Sequence, residues 1–152
     1  MTLRSIVLLA VRLYIGINLL YVAKQGGLAK YNMGPQSVAD NVVAKVGSPF
    51  SLYPLQFAYA VIAAEFLGSL GMIFGIFSKT SGLLIGVNFS VACYAQMYVW
   101  GGDFDSLLYS PGNVHGALVY GLAGFFIYFF GAGSFSVEGL LGMTSTEKSK
   151  KE

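Results

Sequence analysis

Four long apolar runs separated by polar breaks organise the chain. The first extends from Ser5 to Ala23, carries Arg12 and Asn18, and closes at Lys24-Gln25-Gly26-Gly27. The second, Leu55 to Phe77, carries Glu65 and is followed by Ser78-Lys79-Thr80-Ser81. The third, Gly82 to Trp100, carries Asn88 and Gln96 and stops at Gly101-Gly102-Asp103. The fourth runs from Val114 to Phe130, between the turn signal Ser110-Pro111-Gly112-Asn113 and Gly131-Ala132-Gly133. About 20 apolar residues cross the hydrocarbon core as a helix. These runs are continuous, whereas strands of a membrane barrel would alternate over short segments. The pattern predicts an all-α integral membrane four-helix bundle in a single domain, 1–143, with spans at 5–23, 55–77, 82–100 and 114–130. Tyr21-Val22-Ala23 is a poor cleavage sequence, so the first run reads as a span rather than a secretory signal.

The connection between the first two runs is long enough to hold structure. In Gln36 to Val46, Val38, Val42, Val43 and Val46 fall near one helical face, and Pro35 suits a first-turn position. A short amphipathic helix is expected there, lying on the membrane surface or folded over the bundle mouth, with Gly47-Ser48-Pro49 ending it. Ser134 to Leu141 reads as a second small surface segment. Residues 144–152 form a polar basic tail with Lys148, Lys150 and Lys151, expected to be disordered.

Composition narrows the class. Only 11% of the 152 residues are charged against 55% hydrophobic, and mean hydropathy is +0.66, far from an ordinary soluble surface. A net charge of +2 offers no concentrated basic face for nucleic acid. Cys93 stands alone, which excludes an internal disulfide or CxxC pair, and the lone His115 excludes a bis-histidine haem site within the chain. No metal site is expected. Arg4, Lys79, Lys148, Lys150 and Lys151 fall on the side of both termini, against Lys24, Lys30 and Lys45 opposite, which favours cytoplasmic termini. Tyr21, Tyr53, Tyr98 and Trp100 then form an outer aromatic belt.

Charges inside the spans are the informative residues. Arg12 and Glu65 would each cost roughly 2.5–3.5 kcal/mol unpaired at the bilayer centre. Their depths permit a structural ion pair fixing helix register; a polar-ligand or proton site, and an Arg12 that snorkels to the surface, are the alternatives. Asn18, Asn88 and Gln96 call for interhelical hydrogen bonds. His115, beside Asn113, is placed near the outer mouth, as a solvated or capping residue or against a quinone head group or a neighbour's metal. Asp103 and Asp105 read as a solvated loop, too few hard ligands for a cation. Small residues recur at helical spacing: Gly68, Gly71 and Gly75; Gly82, Gly86 and Ser90; Ala117, Gly121 and Gly124. Such faces let membrane helices approach closely, within the bundle or against another subunit.

Arg12-Leu13-Tyr14-Ile15-Gly16 followed by Lys24, Ala64-Glu65-Phe66-Leu67-Gly68 with Gly71, Gly75 and Lys79, and the closing Gly131-Ala132-Gly133-Ser134-Phe135-Ser136-Val137-Glu138 together resemble the DoxX family of small four-span membrane proteins, which includes the DoxD-type subunit of thiosulfate:quinone oxidoreductase. Glu138 stands where the family usually has Asp. The closing motif reads physically as a helix stop followed by a Ser-capped turn. The resemblance implies an integral protein of a prokaryotic cytoplasmic (inner) membrane, associated with quinone-linked redox complexes. No nucleophile with a base, nucleotide loop or cluster-ligand set is present, so the chain reads as no autonomous enzyme. Its expected role is a non-catalytic accessory subunit in contact with the lipid bilayer and other membrane subunits, with a quinone-adjacent pocket. The alternative is a quinone-binding subunit of a redox enzyme, and small-molecule transport ranks third. Arg12, Lys24, Glu65 and His115 are the candidate ligand-binding residues, a quinone or lipid the candidate ligand, with electrons supplied by a partner's cofactor.

Overall fold

The computed structural model describes residues 3–21, 26–101 and 113–142. Lys24, the Asp103 and Asp105 loop and the basic tail lie outside the described residues. Among the described residues all regular structure is helical. The first run forms α1 (Leu3–Tyr21). The second starts with Pro54 in the first helical turn, where its missing N–H costs nothing, and comprises α4 (Pro54–Ile62), a π-helical turn over Ala63–Leu67, and α5 (Gly68–Phe74). The third is α6 (Ser78–Tyr94), ending in a second π-helical turn over Ala95–Val99. Three continuous helices, Leu3–Tyr21, Pro54–Phe74 and Ser78–Val99, are long and apolar enough to cross a membrane. The fourth run forms the apolar helix α7 (Asn113–Phe130), followed by one short turn of helix, α8 (Val137–Leu140).

The long connection departs from expectation. Instead of one amphipathic helix it folds into α2 (Gly27–Met33), α3 (Pro35–Asn41) and 3₁₀ turns at Val43–Val46 and Phe50–Leu52. Gly34, at φ +81°, makes the bend between α2 and α3, a conformation glycine adopts without steric cost. The valine face does exist. It is spent on protein: Val38, Ala39 and Val43 bury against Ala58 of α4, with Phe50, Phe57 and Val61 packed around them. The segment is therefore packed against α4.

A second core joins the long apolar helices. Leu8, Ile15 and Leu19 of α1 meet Met72 of α5, Ile85 of α6 and Ile127 of α7. The small-residue faces are used inside the molecule. An added Cβ at Gly82 would lie 2.6 Å from the Gly124 carbonyl oxygen, and one at Gly124 would lie 2.6 Å from the Gly86 nitrogen, so α6 and α7 run backbone to backbone. Gly75 closes α5 in the left-handed region, φ +65°, and an added Cβ there would meet Ser136 and the Arg12 guanidinium.

Candidate functional site

The two intramembrane charges do not pair with each other. Arg12, 1% exposed, spends its guanidinium on backbone carbonyls. Nε donates to Met72 O at 3.0 Å, Nη1 to Ala132 O at 2.5 Å and Phe135 O at 3.0 Å, and Nη2 to Ile73 O at 3.5 Å. Met72 and Ile73 are among the last residues of α5, whose carbonyls lack intrahelical donors, and Ala132 and Phe135 lie in the non-helical stretch between α7 and α8. The closing motif completes the clasp. Ser136 caps α8, its Oγ accepting from Gly139 N–H at 2.9 Å. Glu138 Oε1 accepts from Ser78 N–H at 2.8 Å, at the positive end of α6. The Glu138 N–H donates to Gly75 O at 3.2 Å. Arg12 thus ties α1 to the end of α5 and to the stretch after α7.

Glu65, 4% exposed, finds a different cation. Met72 lies two turns further along its helix, about 10 Å from it along the axis, which puts the Arg12 clasp out of reach. Lys30 of α2 instead brings Nζ to 2.5 and 2.6 Å from the two carboxylate oxygens, and this is the one ion pair among the described residues. Asn88 Nδ2 of α6 adds a hydrogen bond to Oε1 at 3.1 Å. The π-helical turn holding Glu65 shifts the register of the helix locally, a feature frequent at functional sites; the Ser69 hydroxyl donates to the Glu65 carbonyl beneath it.

Lys30 is held there at three points of α2. Gly27 sits so close to the bend that an added Cβ would lie 2.6 Å from the Glu65 carbonyl carbon. Tyr31 stacks on Phe66 with ring centroids 4.6 Å apart and planes 12° apart. Lys30 itself closes on the carboxylate. Removing one member of such a pair would strand a buried charge, at about 3–5 kcal/mol.

This polar triad forms part of the wall of a cavity of about 710 Å³, bounded by α2 to α4, α6 and α7. Phe50, Phe57, Phe89, Tyr120 and Trp100 supply aromatic wall; Ala60, Val61, Ala64, Val87, Val91 and Ala92 supply aliphatic wall. The size and the few convergent polar groups are those of a small-molecule site. Gln96, in the second π-helical turn, also lines it, and its Oε1 is buried without a hydrogen-bond partner.

Of the candidate ligand-binding residues that are described, Glu65 lines the cavity. Arg12 belongs to the clasp, and Lys24 is outside the described residues. Gly116 and Ala117 at the start of α7 line the cavity, but His115 does not. Asn18 is also corrected: its Nδ2 donates to Tyr14 O in its own helix at 2.7 Å, while Asn88 makes the interhelical bond. The residue sequence reasoning missed is Lys30. Its signal was a lone charge within the otherwise largely apolar Gly27-Leu28-Ala29-Lys30-Tyr31.

The family model described as DoxX matches residues 7–97, a stretch containing Arg12, Lys30, Glu65, Asn88 and Gln96. Comparison with curated proteins and with solved structures gives no match.

Proposed function

The chain belongs to the DoxX family, and from that premise we propose that it is a four-span membrane protein that binds a hydrophobic, membrane-borne ligand in the cavity beside Lys30, Glu65 and Asn88. In this reading α7 is the fourth span, the termini face the cytoplasm, and the protein serves as a subunit of a larger complex of the prokaryotic inner membrane. The observation that carries it is an aromatic-lined cavity of about 710 Å³ that meets a largely buried, hydrogen-bonded ion pair, Glu65 buried and Lys30 partly so. A purely accessory subunit has no need of that space.

A quinone, the ligand class the resemblance implies, fits this donor set. Lys30 Nζ and Asn88 Nδ2 each keep N–H capacity beyond their bonds to Glu65, enough to orient a carbonyl oxygen, and Phe57, Phe89 and Tyr120 supply ring contacts. A bound quinone would supply two-electron, two-proton redox capacity, with electrons from a partner's cofactor. Glu65 holds Lys30 in place, and the Lys30 ammonium is the group placed to give a proton to a quinone oxygen as it is reduced, the proton being replaced from solvent.

The test is purification in mild detergent followed by solvent extraction and by titration with a short-chain benzoquinone, read by quenching of the Trp100 fluorescence. Wild-type protein is expected to bind, and Glu65→Ala or Lys30→Met to weaken binding at least ten-fold. Absence of binding, or binding indifferent to both substitutions, overturns the proposal.

A further inference from the structure

Two polar groups of α6 face the same cavity but differ in what they lack. Asn88 is engaged with Glu65 at 3.1 Å. Gln96, two turns further on and about 12 Å along the axis, has a buried carbonyl oxygen with no donor. A buried acceptor left unpaired is a standing cost, relieved by whatever supplies the missing N–H or O–H. Gln96 lines the cavity, and its terminal torsion is soft, so the oxygen can turn to meet a donor there. The walls between Asn88 and Gln96, Val91, Ala92 and Ala95 on α6 with Val61 and Ala64 opposite, are apolar.

The charges constrain the occupant further. Lys30 and Glu65 neutralise each other at 2.5 Å, so the site offers a charged ligand no uncompensated partner, and burying an unpaired charge is prohibitive. We infer that Gln96 is a specificity-determining residue: the cavity selects an uncharged amphiphile with an oxygen acceptor at the Lys30–Asn88 end and a hydroxyl or N–H donor at the Gln96 end. The inference rests on the ligand-binding reading above and adds the second polar contact to it. One hydrogen bond to a buried acceptor corresponds to about a ten-fold preference.

A matched pair of probes tests it: a benzoquinone carrying an ω-hydroxyalkyl chain long enough to span from Asn88 to Gln96, and the same molecule ending in methyl. Wild-type protein is expected to bind the hydroxyl probe about ten-fold tighter. In Gln96→Leu the preference should vanish while the methyl probe binds as before, which also certifies the fold of the variant. Equal binding of both probes to the wild-type chain sinks the role of Gln96 and leaves the cavity reading standing. Binding of neither sinks both. Should Gln96→Leu fail to fold, the wild-type comparison alone decides.

Discussion

Gly27→Ala is the substitution that most directly connects the fold to the site. The backbone at Gly27 is helical, so alanine brings no conformational strain, and helix preference alone would stabilise the variant by about 0.5–1 kcal/mol. Space reverses the sign. The new Cβ would stand 2.6 Å from both the carbonyl carbon and oxygen of Glu65 and 2.8 Å from the Phe66 nitrogen, all backbone atoms of a packed span. Ordinary contact requires about 3.6 Å, so α2 must retreat by about 1 Å. Overpacking of that kind costs about 1–3 kcal/mol. The same retreat carries Lys30 Nζ from 2.5 Å to about 3.5 Å, beyond hydrogen-bond reach, and loosens a buried pair. The net expectation is a loss of about 2 kcal/mol or more, a fall of roughly 4–8 °C in the unfolding midpoint for a chain of this size. Ligand affinity should fall as well, although no ligand-facing side chain has changed. Gly34→Ala is the control: nothing lies within 4 Å of its added Cβ, so it should cost about 1–3 kcal/mol of backbone strain at φ +81° and leave affinity intact. Thermal unfolding in detergent and quinone titration of the three proteins settle the matter. A Gly27→Ala protein with wild-type midpoint and affinity would refute the seating of α2 on the Glu65 bend.

Charge exchange separates the two polar centres: Lys30→Glu with Glu65→Lys should regain part of the about 3–5 kcal/mol lost in either single variant, whereas Arg12→Glu with Glu65→Arg should regain none, as read by the yield of folded protein. Along the α6–α7 seam, Gly124→Ala brings a Cβ to 2.6 Å from the Gly86 nitrogen and should destabilise by about 1–3 kcal/mol. Gly121→Ala meets nothing nearer than 3.6 Å and should be neutral or slightly stabilising, a contrast visible in unfolding midpoints.

Some of this molecule is legible in one dimension. Spans expected at 5–23, 55–77 and 82–100 correspond to Leu3–Tyr21, Pro54–Phe74 and Ser78–Val99, because hydrocarbon-length apolar runs leave the backbone few other solutions. The Ser-capped turn after Gly133 was legible for a similar reason: Ser136 and Gly139 are close in sequence, and capping is local chemistry. The pairing of charges was not. Depth along two antiparallel spans brought Arg12 and Glu65 near enough to suggest a bond, but depth ignores the carbonyls freed at the end of α5 and those of Ala132 and Phe135 after α7. It also ignores a third segment able to enter between spans. Lys30 is 35 residues from Glu65, and no periodicity within α2 reveals which element its head will meet. The glycine faces were visible as faces; that Gly82, Gly86 and Gly124 interlock with one another required coordinates.

The Arg12 clasp has a bearing on what counts as a minimal unit of this protein. Residues 7–97 carry the family signature, yet two of the carbonyls that satisfy Arg12 belong to Ala132 and Phe135, and the carboxylate at the head of α6 belongs to Glu138. A fragment cut after the third span would keep a buried guanidinium stripped of half its acceptors. The segment after α7 therefore works as a closing link, through which residues synthesised after the apolar helices determine whether a charge laid down in α1 is tolerable.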